Sequence, residues 1–366
     1  LGVNGGAMVG HSPIRHYVMG SDSQGRGPTP DEIEQMKALL RQSVEAGALG
    51  LSFSLNKGHY DPQGVNIPSV FAKEEELFAL AETLGEMGTG ILQSGSGNGP
   101  ETRTRLLSRL SEKSGRPFLY SQLSQRQRTP DSWKDHIKMV DESVQKGIRA
   151  IPQSSPYIMS FEFNMHNCQQ FKHVPTWQPV QIASDEEKLK AYQDPEFRKK
   201  VHHEAIEWPE YMDKTSLGKN WPDVLYLQTA RLDKNRQYEG MSMRELSAAT
   251  GKGIIDALLD LVVEEKLDTE FIIHRRGHDP VAMGQILNYP NALIGLSDSG
   301  AHVQFHGGYG YSSILLGHWV RKHKVMSVEA AVKKLTFDLA HFFGIYDRGL
   351  LRPGMAADVV IFDPAT

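Results

Sequence analysis

Short apolar runs alternate along the first half of the chain with stretches in which apolar residues recur at helical spacing. The first such helix is predicted to begin after Thr29, because Pro30 and two acidic residues follow it in what would be the first turn. Residues on one face of this helix are apolar: Ile33, Met36, Leu40 and Val44. Gly47 ends the pattern, and the apolar run at 48–54 predicts a buried strand.

The same order of helix, glycine and apolar run repeats further along the chain. Helices are predicted over 73–87, 100–114 and 130–146, and strands over 90–93, 117–123 and 148–151. Strands that alternate with helices predict a parallel sheet built from right-handed βαβ units. Because the strands are almost continuously apolar, we expect both faces of the sheet to be covered. A closed barrel fits better than a dinucleotide-binding sheet, since no Gly-x-Gly-x-x-Gly motif opens a helix after a strand.

The pattern changes over residues 152–222, which contain tryptophans, prolines and scattered charges, with one short helical piece near 185–193. A connection of this length is typical of a functional loop, and we interpret it as a lid or a substrate wall. After it the pattern predicts further strands at 224–228, 271–274 and 293–298, helices at 254–263, 280–288, 312–323 and 327–343, and an edge-like strand near the C-terminus.

The apolar run that ends at residue 296 leads into Asp298 and His302. A carboxylate at the C-terminal end of a barrel strand lies where such barrels carry their chemistry, although an Asp also commonly turns the chain after a strand. His302 is a candidate substrate contact or support for Asp298, and equally a loop histidine bonded to the backbone. His11, which closes an earlier apolar run, is a candidate pocket residue in the same way.

Composition narrows the class of protein. The 366 residues are 39% hydrophobic and 23% charged, as expected of a globular protein with a sizeable core. A net charge of −4 gives no indication of nucleic-acid or acidic-membrane partners, and no window approaches the length of a membrane span. The lone Cys168 excludes an internal disulfide, which favours a reducing, cytoplasmic location.

Two segments resemble the amidohydrolase superfamily. Residues 295–302, Gly-Leu-Ser-Asp-Ser-Gly-Ala-His, resemble the strand-8 segment that carries its single Asp, and residues 349–363 resemble the return into its small flanking β-sandwich. Within the superfamily the chain resembles the N-acyl-D-amino-acid deacylases (D-aminoacylases). That resemblance rests on Val9-Gly10-His11-Ser12, the junction at 46–50, and Leu316-Gly317-His318-Trp319.

The resemblance implies a TIM-type (β/α)8 barrel over residues 1–345 that lacks its first strands, carries the 152–222 loop, and is followed at 346–366 by the start of a β-sandwich. It implies a metal-dependent hydrolase that cleaves the non-peptide C–N amide bond of a small-molecule N-acyl-amino acid, with the D configuration expected. Zinc would lower the pKa of a bound water to about 7, with Asp298 as general base and metal ligand. The sequence does not indicate an oligomeric state.

The chain departs from the family pattern at its metal ligands. The family's His-x-His motif and its metal-binding Cys are absent, and Gln93 and Gln122 stand where two ligand histidines are expected. Neutral amides are poor zinc ligands, so any site is mononuclear, completed upstream of residue 1, or lost. The alternative is a catalytically impaired or non-catalytic small-molecule-binding barrel. Either way, His11, Gln93, Gln122 and His302 are the predicted substrate contacts. Residues 1–366 alone are expected to be inactive and poorly soluble, because missing strands leave sheet edges unpaired.

Overall fold

The computed structural model forms two compact units. It describes residues 5–57, 59, 61, 64–95, 100–126, 129–168, 170–213, 215, 217–277, 279–297 and 308–365. Within these limits, unit 1 contains residues 5–157, 279–297 and 310–365, and unit 2 contains residues 158–277 and 308–309.

The strands are numbered in chain order. They are β1 (Val9–Gly10), β2 (Gly50–Phe53), β3 (Ile91–Ser94), β4 (Phe118–Ser121), β5 (Ala150–Ser154), β6 (Met159–Phe163), β7 (Leu225–Thr229), β8 (Glu270–Arg276) and β9 (Leu293–Ile294).

The α-helices are α1 (His11–Met19), α2 (Pro30–Glu45), α3 (Glu74–Met87), α4 (Pro100–Ser114), α5 (Ser132–Gln145), α6 (Gln178–Gln181), α7 (Asp185–Gln193), α8 (Pro195–His202), α9 (Glu210–Asp213), α10 (Trp221–Val224), α11 (Met243–Thr250), α12 (Ile254–Glu264), α13 (Pro280–Asn288), α14 (Tyr311–Ile314), α15 (Val328–Leu335) and α16 (Phe337–Phe342). Two further segments, His203–Glu207 and Leu315–Lys322, are π-helical.

Unit 1 is built on a parallel sheet whose strands follow the order β1-β2-β3-β4-β5-β9. This confirms the parallel α/β arrangement predicted from the alternating pattern. In the part of the chain that the structure describes, β1 and β9 are the two edges of this sheet, so the predicted closed barrel is not confirmed. The two less regular barrel strands predicted near residues 226 and 273 lie in unit 2 instead.

Capping residues mark the start of α2 and the end of α3 in unit 1. The Thr29 hydroxyl accepts a hydrogen bond from the Glu32 N–H at 3.2 Å, and the Glu32 carboxylate accepts one from the Thr29 N–H at 2.7 Å. These reciprocal bonds satisfy two amides at the start of α2 that have no partner within the helix. At the end of α3, Gly88 adopts the left-handed conformation with φ of +66°, which a glycine reaches without steric cost.

The main core of unit 1 lies between the sheet and the helices on one of its faces. Helices α2 to α5 contribute Met36, Leu40, Leu80, Leu110 and Val140, and strands β2 to β5 and β9 contribute Leu51, Leu92, Phe118, Ala150 and Ile294. A smaller cluster on alternate strand positions joins Ile91, Leu119 and Leu293 to Phe342 of α16. Because side chains alternate across a strand, these two clusters mark the two faces of the sheet.

Unit 2 contains a three-stranded antiparallel sheet in the order β6-β8-β7, together with helices α6 to α12. The long loop predicted at 152–222 is therefore wrong in its secondary structure, because this stretch supplies a strand and several helices. Its aromatic residues form a core: the rings of Phe171 and Trp177 stack with centroids 4.1 Å apart, and Trp221 meets Phe171 edge-on. Cys168 is buried in the same cluster.

The C-terminal residues 346–365 are all described and form no strand, so the predicted edge strand is not observed there. The β-sandwich that this tail was expected to enter stays a prediction. None of the helices in the described ranges is both long and apolar enough to cross a membrane.

Candidate functional site

The carboxyl ends of all six strands of unit 1 lie at one edge of the sheet, because the strands are parallel. In α/β folds this edge is where ligands bind. Gln93 lies within β3, Gln122 directly follows β4, and residues 295–297 follow β9. These residues therefore lie at the edge where the sequence predicts the site. Asp298 and His302 lie outside the described residues.

Polar residues form a row on the sheet face opposite the main core. Ser52 is in register with Gln93, Gln93 with Leu119, and Ser121, two positions further along β4, with Gln153. Residues in register on parallel strands share a face, so Ser52, Gln93, Ser121 and Gln153 line the same surface. Gln93 is half-buried there. Its amide is therefore placed to meet a ligand at this edge.

The segment that leads to Asp298 is held beside the end of β5. The Gly295 N–H donates to the Ser154 carbonyl at 3.3 Å. A Cβ on Gly295 would lie 3.0 Å from the Leu339 side chain and 3.7 Å from Nε2 of Gln153, so this position is closely packed. The chain therefore enters residue 298 from a tightly packed position next to Gln153.

A cluster of buried polar atoms at the same edge was not predicted from the sequence. Within the described residues these atoms have no hydrogen-bond partner: Ser124 Oγ, Gln125 Oε1, Arg126 Nε, Gln153 Oε1 and Ser154 Oγ. Buried polar groups in proteins are nearly always hydrogen-bonded, so unpaired ones call for an explanation such as a ligand or ordered water. The run Ser-Gln-Leu-Ser-Gln-Arg at 121–126, polar where a strand has just ended, is the signal that could have indicated it.

His11 has a different environment from the one the sequence suggested. It opens α1, and its ring is fully buried, with Nε2 at 2.9 Å from a carboxylate oxygen of Glu76 and Nδ1 at 2.9 Å from the Ser69 hydroxyl. The other carboxylate oxygen of Glu76 accepts a hydrogen bond from the buried Arg15. Both ring nitrogens of His11 therefore already have protein partners, and its contact with substrate stays a prediction.

The described residues do not fit a zinc site. They contain no group of three or more His, Cys, Asp and Glu side chains placed to hold a metal ion. Gln93 and Gln122 offer neutral amides, and zinc prefers imidazole, thiolate or carboxylate. A zinc site in this protein would need ligands from outside the described part of the chain.

Unit 2 has an open groove of about 1170 Å³ beside α8, α11 and α12. Several of its charged residues are paired with one another: Arg198 contacts Asp256 at 3.1 Å and Asp260 at 2.7 Å, and Lys252 contacts Asp260 at 2.6 Å. These charges are already compensated, so they make a weaker case for a ligand site than the unpaired polar atoms at the sheet edge of unit 1.

Comparison with known proteins relates the C-terminal part of the chain to one protein family. Residues 239–366, which include β9 and the segment after it, match the model of the amidohydrolase family. The chain resembles the D-aminoacylases of that superfamily. A D-aminoacylase of Alcaligenes xylosoxydans xylosoxydans is 25% identical over 371 residues, covering 100% of this chain and 61% of the enzyme.

Two further relatives extend the resemblance. An uncharacterized protein of Mycobacterium tuberculosis is 24% identical over 403 residues, again covering 100% of this chain and 61% of the relative. The crystal structure of the N-acyl-D-glutamate deacylase of Bordetella bronchiseptica, complexed with zinc and a phosphonate inhibitor, aligns with a TM-score of 0.60 at 22% identity. That alignment covers 99% of this chain and 62% of the deacylase, and it shows a similar fold. The chain thus spans about three-fifths of the length of these two curated relatives.

Proposed function

We propose that the protein containing this chain hydrolyses the non-peptide C–N amide bond of an N-acyl-amino acid, with the D configuration expected. The observation that carries the proposal is the position of residues 295–297 at the carboxyl edge of the parallel sheet, immediately before Asp298 and inside the segment that matches the amidohydrolase family. The D-aminoacylase and deacylase names of its relatives supply the substrate class.

Asp298 is the proposed general base. It would take the proton of the attacking water as the water oxygen bonds to the carbonyl carbon, and pass it to the amine nitrogen as the C–N bond breaks. His302, Gln93, Gln122 and His11 are the proposed substrate contacts. Any zinc would be bound through Asp298 and ligands outside the described residues. We also propose that the six-stranded sheet belongs to a TIM-type barrel in the full-length, cytoplasmic protein.

A second candidate is a non-catalytic barrel that binds the same class of small molecule. It is favoured by one observation: two amides, Gln93 within β3 and Gln122 directly after β4, stand where the resemblance leads us to expect imidazoles. Amides can bind a ligand through hydrogen bonds, but they do not replace a metal-bound nucleophile.

One experiment separates the two candidates. The full-length protein is purified, its metal content is measured by mass spectrometry, and hydrolysis of a panel of N-acetyl-D-amino acids is assayed by amine release. Asp298→Asn is compared with Asp135→Asn, which removes the charge of an exposed residue on α5. Bound zinc, with activity lost in Asp298→Asn alone, is the expected result. Ligand binding without metal or turnover would favour the binding protein and reject the hydrolase.

A further inference from the structure

Arg126 is a partly buried cation that has no counter-charge in the described structure. Its Nε atom is buried and makes no hydrogen bond. Burial lowers the pKa of Arg126 below its ordinary value, and no carboxylate of the described residues raises it. Removing a guanidinium from water without pairing it is costly, so such a group usually has a partner in the functional state.

Arg15 shows how this protein treats a buried arginine elsewhere. Arg15 is fully buried, and it is bonded to the Glu76 carboxylate and, at 2.9 Å, to the Ser23 carbonyl. Its charge is therefore compensated within the fold. Among the described residues Arg126 lacks an equivalent of Glu76, so an anionic ligand would supply the counter-charge that Arg15 has within the fold.

The position of Arg126 is fixed to the carboxyl edge of the sheet by the chain itself. The Leu123 N–H donates to the Gln153 carbonyl at 3.0 Å, which ties the end of β4 to the end of β5. Three residues of extended chain span at most about 10 Å, so Arg126 stays close to this edge. Ser124 and Gln125 lie between them, both 2% exposed and each with an unpartnered oxygen.

We infer that Arg126 binds the carboxylate of the small-molecule ligand, with the Ser124 hydroxyl and the Gln125 amide beside it as further hydrogen-bonding groups. This inference rests on the proposed function for the identity of the ligand, an N-acyl-amino acid. The planar guanidinium presents paired N–H donors that match the two oxygens of a carboxylate. The carboxylate of an N-acyl-amino acid is unchanged by hydrolysis of its amide bond, so Arg126 is a binding group and takes no part in proton transfer.

The test compares ligands that differ only in the carboxylate. Binding of N-acetyl-D-glutamate and N-acetyl-D-leucine, and of their α-amides, to the full-length protein is measured by isothermal titration calorimetry. Arg126→Gln removes the charge, and Arg126→Lys retains the charge without the paired N–H donors of the guanidinium. Arg149→Gln is the matched control, because Arg149 is an exposed arginine directly before β5, at the opposite end of that strand.

We expect at least one acid to bind wild-type protein more tightly than its amide. Arg126→Gln should weaken binding of that acid by about 10- to 100-fold and leave binding of the amide unchanged. Arg126→Lys should fall between the two, and Arg149→Gln should match wild type. If no acid is preferred over its amide, or if Arg126→Gln keeps the preference, the inference is wrong.

A second measurement guards against a purely structural role. Without ligand, Arg126→Gln should unfold at the same temperature as wild type or a higher one, because it removes an uncompensated buried charge. A clear loss of stability would mean that Arg126 is bonded within the fold. Hydrolysis, assayed separately, keeps the two proposals distinct: carboxylate binding without turnover would reject the proposed hydrolase while leaving the role of Arg126 intact.

Discussion

His11 and Glu76 lie 65 positions apart in the chain and meet in a buried hydrogen bond, with 2.9 Å between imidazole Nε2 and carboxylate Oε1. The same carboxylate binds Arg15, so a single acidic side chain of α3 holds two residues of α1. Since α1 directly follows β1, this network fixes the start of the sheet.

Replacing Glu76 by Gln should destabilise the protein by about 3–5 kcal/mol, because it leaves Arg15 as a buried charge without its partner. The measurement is urea denaturation of the full-length protein. Glu74→Gln is the control: Glu74 lies on the same helix and pairs with Arg109 at 2.9 Å, but both side chains are more than half exposed. It should cost less than about 1 kcal/mol. Equal effects of the two substitutions would contradict this account.

The contribution of Glu76 should also depend on pH. Burial raises the pKa of its carboxyl, but the hydrogen bonds and charges of His11 and Arg15 outweigh burial and hold the pKa below its ordinary value. A depressed pKa stabilises the fold above the unfolded value of about 4.3 and loses that effect as pH falls. The stability gap between wild type and Glu76→Gln, from urea titrations at a series of pH values, should therefore shrink below about pH 4. A gap that stays constant from neutral pH into this acid range would rule the mechanism out.

In unit 2, His166 should stabilise the fold with the opposite pH dependence. Partial burial lowers the pKa of His166, but hydrogen bonds to Asp268 at 3.0 Å and to Asp185 at 2.8 Å raise it above its ordinary value overall. The stabilisation is complete below the unfolded pKa of about 6.5 and is lost as pH rises through the folded pKa. Because the site is partly exposed, its size should not exceed about 1 kcal/mol. His166→Gln should thus cost more at pH 6 than at pH 9, and a larger cost at pH 9 would refute the assignment.

Gly50 should tolerate no side chain. Its φ is +141°, and a Cβ there would lie 2.0 Å from the carbonyl oxygen of Ile91 on the neighbouring strand. Gly50→Ala should cost more than about 3 kcal/mol or prevent folding, since the backbone of β3 cannot move aside without breaking the sheet. Gly88→Ala provides the comparison: φ is +66° and nothing lies within 4 Å, so only the left-handed backbone is penalised, by about 1–2 kcal/mol. Thermal unfolding of both variants would show whether contact or conformation dominates.

Local signals predicted unit 1 well. Capping residues such as Thr29 and stop glycines such as Gly88 act within one turn of the chain, so α2 and α3 were confirmed close to their predicted bounds. Unit 2 could not be predicted in this way, because its core depends on contacts between distant residues, as in the packing of Phe171 against Trp221. Periodicity gives strands but not their direction, which is why β7 and β8 were expected in the parallel sheet.

In the candidate site, too, the features set by local sequence could be predicted, and those set by contacts between distant residues could not. The sequence predicted that Gln93 and Gln122 lie at the carboxyl edge of the sheet, because parallel strands place their carboxyl ends together. The buried network that holds His11 could not be predicted, since Glu76 reads in the sequence as one of three successive acidic residues in the first turn of α3. The Arg126 Nε, unpaired among the described residues, could not be predicted either, because a missing partner leaves no trace in the sequence.

Modification of the single cysteine can report when the core of unit 2 opens. Cys168 is 4% exposed, and burial raises the pKa of its thiol to about 12, so the native protein presents almost no thiolate to a reagent. With no second cysteine in these 366 residues, any thiol alkylation of this chain must follow exposure of the core around Cys168. The rate of thiol labelling therefore records how often unit 2 unfolds, without interference from unit 1.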